Sequence, residues 1–92
     1  MIITRNKNTS TTNLENECIV LHKGSGQYFG LEGALKELWM EIEEDKKDTK
    51  DIVLKWKSKF DQDESELSLI LNEMIENLIE NELLNIEDDI CE

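Results

Sequence analysis

The sequence predicts one α+β domain of winged helix-turn-helix type, with a small antiparallel β-sheet of about three strands toward its N-terminal end and three α-helices after it. Two observations predict this. Residues 18–31 hold two β-rich apolar runs joined by a glycine turn, and three later segments place apolar residues every three or four positions. With no proline and no internal repeat, the chain reads as a single unit over 1–92. Its ordered core is expected over about 14–84, and 1–10 and 85–92 are the segments expected to be flexible.

The first dozen residues, rich in Asn, Thr and Ser, carry little apolar pattern, although Ile2-Ile3-Thr4 or residues 10–14 can each supply a short strand. Then Cys18-Ile19-Val20-Leu21-His22 reads as a strand, Gly24-Ser25-Gly26 as a turn that tolerates positive φ, and Gln27-Tyr28-Phe29-Gly30-Leu31 as the returning strand. Alternation is expected to aim Ile19 and Leu21 from the first strand, and Phe29 and Leu31 from the second, at a single core.

In residues 32–44, Leu35, Leu38, Trp39 and Ile42 have helical spacing. Asp48 or Thr49 can cap a second helix whose Ile52, Val53, Trp56 and Phe60 share a face. Asp63 and Glu66 have capping-box spacing before a third helix with Leu67, Ile70, Leu71, Met74, Ile75 and Leu78 in one stripe, expected to run to about residue 84. Leu69, Ile79 and Leu83 fall off the centre of that stripe, so the third helix has more apolar surface than one core contact requires.

Composition excludes several functions. The 92 residues hold 22 acids against 10 bases, a formal charge of −12. At this length folding buries only about 60–65% of the extended surface, enough for a thin core and a shallow groove. Residues 1–60 carry ten acids and ten bases, so the whole excess lies in 61–92, which has twelve Asp and Glu and no Lys or Arg. That acidity is either a solvated helix face or a surface for a basic partner. It opposes docking of the third helix on DNA, so no nucleic acid is expected. No apolar run approaches the roughly 20 residues of a membrane span, and the start lacks a signal-peptide core, so the expectation is a cytoplasmic protein with no membrane contact. Cys18 and Cys91 form neither a disulfide framework nor a metal spacing, and His22 is the sole histidine. No metal, cofactor or catalytic group is expected, and the chain reads as not an enzyme.

What remains is an edge and a groove. If strand order follows sequence, residues 27–31 form an open sheet edge that neither Pro nor Lys blunts. An extended peptide can pair there through backbone hydrogen bonds while side-chain pockets select among sequences. Leu71, Ile75 and Ile79, one turn apart on the third helix, are the candidates for the groove floor, with plain core packing as their other reading. Asn72 and Glu76 are placed to receive polar or basic peptide side chains. The same edge and surplus apolar surface could instead pair two copies, making the chain a homodimerising interaction module without peptide binding.

Ile19-Val20-Leu21, the Gly24-Ser25-Gly26 turn, Tyr28-Phe29-Gly30-Leu31, Ala34, Leu38-Trp39 and the Leu71, Met74, Ile75, Leu78, Leu83-Leu84 spacing together resemble the PqqD family. Within it they are similar to the stand-alone recognition elements for precursors of ribosomally made, modified peptides (RiPPs), of the kind found in lasso-peptide gene clusters. The resemblance covers about residues 14–84. It implies a non-catalytic adaptor that takes a precursor's leader peptide as an added strand along Gln27, Tyr28, Phe29, Gly30 and Leu31 and against the third helix. It also implies a leader peptidase and a macrocyclase, or another modifying enzyme, as partners. Two positions depart from the family pattern: Glu32 stands where Asn is common, and Glu82 where Gly usually precedes the final leucine pair.

Overall fold

A computed structural model describes residues 1–87; Cys91 and the part of 85–92 beyond Glu87 lie outside them. In chain order the elements are β1 (Ile2–Arg5), β2 (Thr9–Asn13), β3 (Glu17–His22), β4 (Gln27–Glu32), α1 (Ala34–Glu41), β5 (Lys47–Asp48), α2 (Thr49–Phe60), α3 (Glu64–Glu80) and β6 (Leu84–Glu87). The expected three-stranded antiparallel sheet is β2-β3-β4, followed by the three helices. A second sheet, in the order β5-β1-β6, joins both ends of the described chain: Ile2 lies opposite Asp48 on one side and Glu87 on the other.

The face that β3 buries differs from the expected one. Cys18, Val20 and His22 point into the protein, whereas Ile19 and Leu21 are half-buried on the other side. The cause is register. Gly26 N–H closes the turn on His22 C=O at 2.8 Å, which sets Val20 opposite Phe29 and Cys18 opposite Leu31. Opposed residues share a face, so once Phe29 and Leu31 turn inward, Val20 and Cys18 must follow.

The core gathers Ile3, Val20, Leu31, Leu38, Trp39, Ile42, Ile52, Trp56, Leu67, Leu71, Ile75, Leu78, Leu83 and Leu84 from every layer. Trp39 is its pivot. The indole Nε1 donates to Thr11 Oγ1 at 2.9 Å, and the Arg5 guanidinium lies 4.4 Å over the ring while donating to Trp39 C=O at 2.7 Å. One side chain thereby fixes β1, β2 and α1 to each other, with its polar group satisfied.

Asp48 caps α2 as expected, its carboxylate accepting from Lys50 N–H at 3.0 Å. Asp63 is the N-cap of α3 but makes no side-chain capping bond, so the capping box is not formed. The third helix also stops before residue 84. Glu82 adopts a left-handed backbone (φ 60°), its N–H bonds Ile79 C=O at 2.9 Å, and Leu83 N–H bonds Leu78 C=O at 2.9 Å. That bond pair is a Schellman termination. It turns the chain so that Leu83 is buried and Leu84 opens β6, which explains why Leu83 sat off the helical stripe.

Candidate functional site

Leu14 N–H donates to Glu17 C=O and Lys23 N–H donates to Asn8 C=O, so the odd-numbered positions of β3 aim their backbone groups at β2. The even-numbered ones, Cys18, Val20 and His22, bond β4 through Leu31, Phe29 and Gln27. Alternation then leaves the N–H and C=O groups of Tyr28, Gly30 and Glu32 directed away from the sheet, and among the described residues no strand pairs with that side of β4. The side chains of Tyr28 and Glu32 stand on the outer face of the sheet, where Tyr28 is 70% exposed and Gly30 leaves a gap between them.

β4 runs antiparallel to α3. Its beginning, Gln27, lines a small recess of about 110 Å³ with Glu80, Asn81 and Glu82 at the end of the helix. Just past its other end, Gly33 and Ala34 line a recess of about 510 Å³ with Trp56, Phe60, Leu67 and Ile70. On α3, Leu67 and Ile70 line this recess, and positions 74 and 77 continue the same flank at helical spacing. Ile70 is 39% exposed on it, and Met74 packs half-buried against the core. Trp56 and Phe60 meet edge to face at 5.9 Å, and Glu37, which also lines the recess, accepts from Lys59 Nζ at 3.0 Å. The result is an apolar recess at the end of an unpaired edge.

Of the residues expected to form the site, the structure brings together Gln27, Tyr28, Phe29, Gly30 and Leu31 on the edge strand. Gln27, Tyr28 and Gly30 are exposed, Phe29 is half-buried and Leu31 is core. Leu71 and Ile75 are also core, 1% and 2% exposed, so they stand behind the groove. Asn72 lines a different recess, with Lys50, Val53 and Leu54 of α2. Glu76 is exposed, opposite the buried stripe, and Ile79 is half-buried on the flank away from β4. Sequence reasoning missed the recess of Trp56, Phe60 and Ile70. Its signal was present in the i, i+3, i+7 run of Leu67, Ile70 and Met74, but nothing in spacing says which flank of a helix meets a strand.

The other edge of this sheet, β2, is Thr-, Ser- and Asn-rich. It borders a polar recess of about 690 Å³ lined by Arg5, Lys7 and Lys46 with Glu43, Glu44 and Asp45. Of the two edges of this sheet, it is β4 that combines free backbone groups with an apolar neighbour.

His22 holds the hairpin. Its Nδ1 accepts from Ser25 N–H at 3.1 Å, which leaves the ring proton on Nε2, 3.8 Å from a Glu82 carboxylate oxygen. Cys18 is buried, and that burial pushes its thiol pKa up, away from the reactive thiolate. Among the described residues there is no group of His, Cys, Asp and Glu able to hold a metal ion, and no helix is long and apolar enough to cross a membrane.

A family model described as coenzyme PQQ synthesis protein D (PqqD) matches residues 17–84, which takes in β3, β4, all three helices and the start of β6. The solved structure of TbiB1 in complex with the TbiA(beta) leader peptide superposes with a TM-score of 0.84 at 24% identity, covering 94% of this chain and 99% of that one. No curated protein matches the sequence.

Proposed function

The chain belongs to the PqqD family, and from that premise we propose that it is a non-catalytic adaptor of RiPP biosynthesis. It captures the leader peptide of a ribosomally made precursor as a fourth strand on β4 and presents it to modifying enzymes. The observation that carries this reading is the unpaired edge of Tyr28, Gly30 and Glu32 beside the apolar recess of Trp56, Phe60 and Ile70. TbiB1, which has the same fold, is described in complex with a leader peptide.

The physics divides the work. The backbone of β4 offers bonds to any extended peptide, each contributing roughly 0.5–1.5 kcal/mol net. Selectivity and most of the affinity then come from one or two apolar leader side chains seated in the recess. The working site is therefore Gln27, Tyr28, Phe29, Gly30, Leu31 and the β4 flank of α3. A leader peptidase and a macrocyclase of a lasso-type cluster are the enzymes to which the bound leader would be handed, in the cytoplasm. Among the described residues, the Cys18 thiol is buried in β3 and the His22 imidazole is tied into the hairpin, so both are accounted for by the fold.

The test is calorimetric titration of the full chain with leader peptides of lasso-type precursors and with the TbiA(beta) leader. Saturable one-to-one binding supports the adaptor. A folded protein that binds no leader and sediments as a dimer through β4 would replace this reading with a self-associating module.

A further inference from the structure

Resting on the strand-addition reading above, we infer that the edge selects a lysine or arginine in the added strand at the residue facing Gly30, with Glu17 as its ion-pair partner. On the outer face of the sheet the ladder sets Glu17 opposite Glu32, Ile19 opposite Gly30 and Leu21 opposite Tyr28. Two glutamates directly opposed across a strand pair repel each other. Among the described residues no cation lies within ion-pair distance of either.

Gly30 is the other half of the argument. Its backbone does not require glycine, since the positive-φ glycines are Gly26 and Gly33. What the missing side chain provides is space. A Cβ placed on Gly30 would meet a Glu17 carboxylate oxygen at 3.3 Å and Ile19 Cδ1 at 3.9 Å. The Glu17 carboxylate thus leans across β4, over the glycine, toward the open edge. A strand added outside β4 lies about 4.8 Å away. From its residue facing Gly30, a long side chain can lay its aliphatic stem over the glycine against Ile19 and bring a cation to Glu17, with Glu32 close by. An aliphatic residue there would fill the slot but leave the two carboxylates opposed, and an acidic one would add a third negative charge. A glycine within a strand commonly marks such a close approach of a ligand.

The experiment is selection of a phage-displayed random peptide library against the full chain, with each selected peptide mapped by amide NMR shifts. Peptides that shift Tyr28, Gly30 and Glu32 are expected to share a Lys or Arg at one position. Replacing it with Leu should weaken binding about fivefold at low salt. Glu17→Lys should reverse the preference to Glu at the same peptide position. Gly30→Ala, whose added Cβ meets only the movable ends of Glu17 and Ile19, should stay folded by circular dichroism and weaken the preference. Selected peptides that shift these amides with no basic preference, or a Glu17→Lys protein that keeps the wild-type preference, would overturn the inference and leave strand addition standing. If no selected peptide shifts the β4 amides, strand addition itself falls and the inference falls with it.

Discussion

Val20 and Phe29 are directly opposed and hydrogen-bonded across β3 and β4, and their pairing turns the N–H of Tyr28 outward, free of the sheet. A proline at Tyr28 therefore removes a donor that the fold does not use. Tyr28→Pro is expected to keep its circular dichroism spectrum and lower leader affinity at least tenfold, through the lost bond and the fixed φ of proline. Unaltered binding by folded Tyr28→Pro protein would contradict pairing at this edge.

Ile70 and Leu69 are neighbours in sequence with opposite roles in the proposed site. Ile70 lines the recess at the end of β4, whereas Leu69, 65% exposed, lies on the outer face of α3. Ile70→Glu should lower leader affinity tenfold or more while costing less than about 1 kcal/mol of stability, because the position is already part-exposed. Leu69→Glu should change neither. Titration calorimetry with urea unfolding on both variants checks the pair. Ile75→Glu is a poor probe by comparison, since a charge at that core position unfolds the protein.

Glu82 holds a left-handed backbone that glycine adopts without steric cost. Its side chain is mostly exposed, and its only ion-pair partner among the described residues, His22, is 3.8 Å away, so that contact contributes little. Glu82→Gly is therefore expected to raise stability by about 1 kcal/mol, and Tm by about 4–8 °C for a domain this small. A thermal melt that shows no gain would mean that strain at the end of α3 is offset elsewhere.

The Asp48 carboxylate is held below the usual carboxylate pKa, first by the Lys50 N–H it accepts and then by the terminal ammonium 3.6 Å away. A depressed pKa in the folded state stabilises the protein above the unfolded value of about 3.9, and this contribution fades as pH falls through the folded value. Asp48→Ala should therefore be less stable than the parent at pH 7, with the gap narrowing below about pH 4 as the carboxylate is protonated. Urea midpoints at pH 7 and pH 3 measure it.

The order of β2, β3 and β4, the three helices, the cap at Asp48 and the open edge at 27–31 were legible because each rests on local pattern: β-branched runs, turn glycines and helical spacing. The second sheet, which pairs residues more than 40 positions apart, was not, and neither were three features nearer the site. The continuous apolar run from Cys18 to Leu21 has no alternation, so its buried face was decided by the length of the turn that follows. The end of α3 was hidden because Glu82 occupies a position where glycine would have marked the stop. The recess of Trp56, Phe60 and Ile70 depends on how α2 and α3 lie against the end of β4, a tertiary arrangement that spacing along either helix does not encode. For the same reason Asn72 and Glu76 share a helix with the groove yet stand away from it.

The most direct test of leader capture at β4 is a heteronuclear NMR titration of isotope-labelled full chain with a leader peptide that binds it in the calorimetric titration. The expected result is saturable shifts running through residues 27–32 and along Leu67, Ile70 and Met74 of α3, with slowed amide exchange at Tyr28, Gly30 and Glu32 as their N–H groups find partners. Saturable shifts confined to β2, β6 or the outer face of α3, with those three amides unchanged, would contradict it.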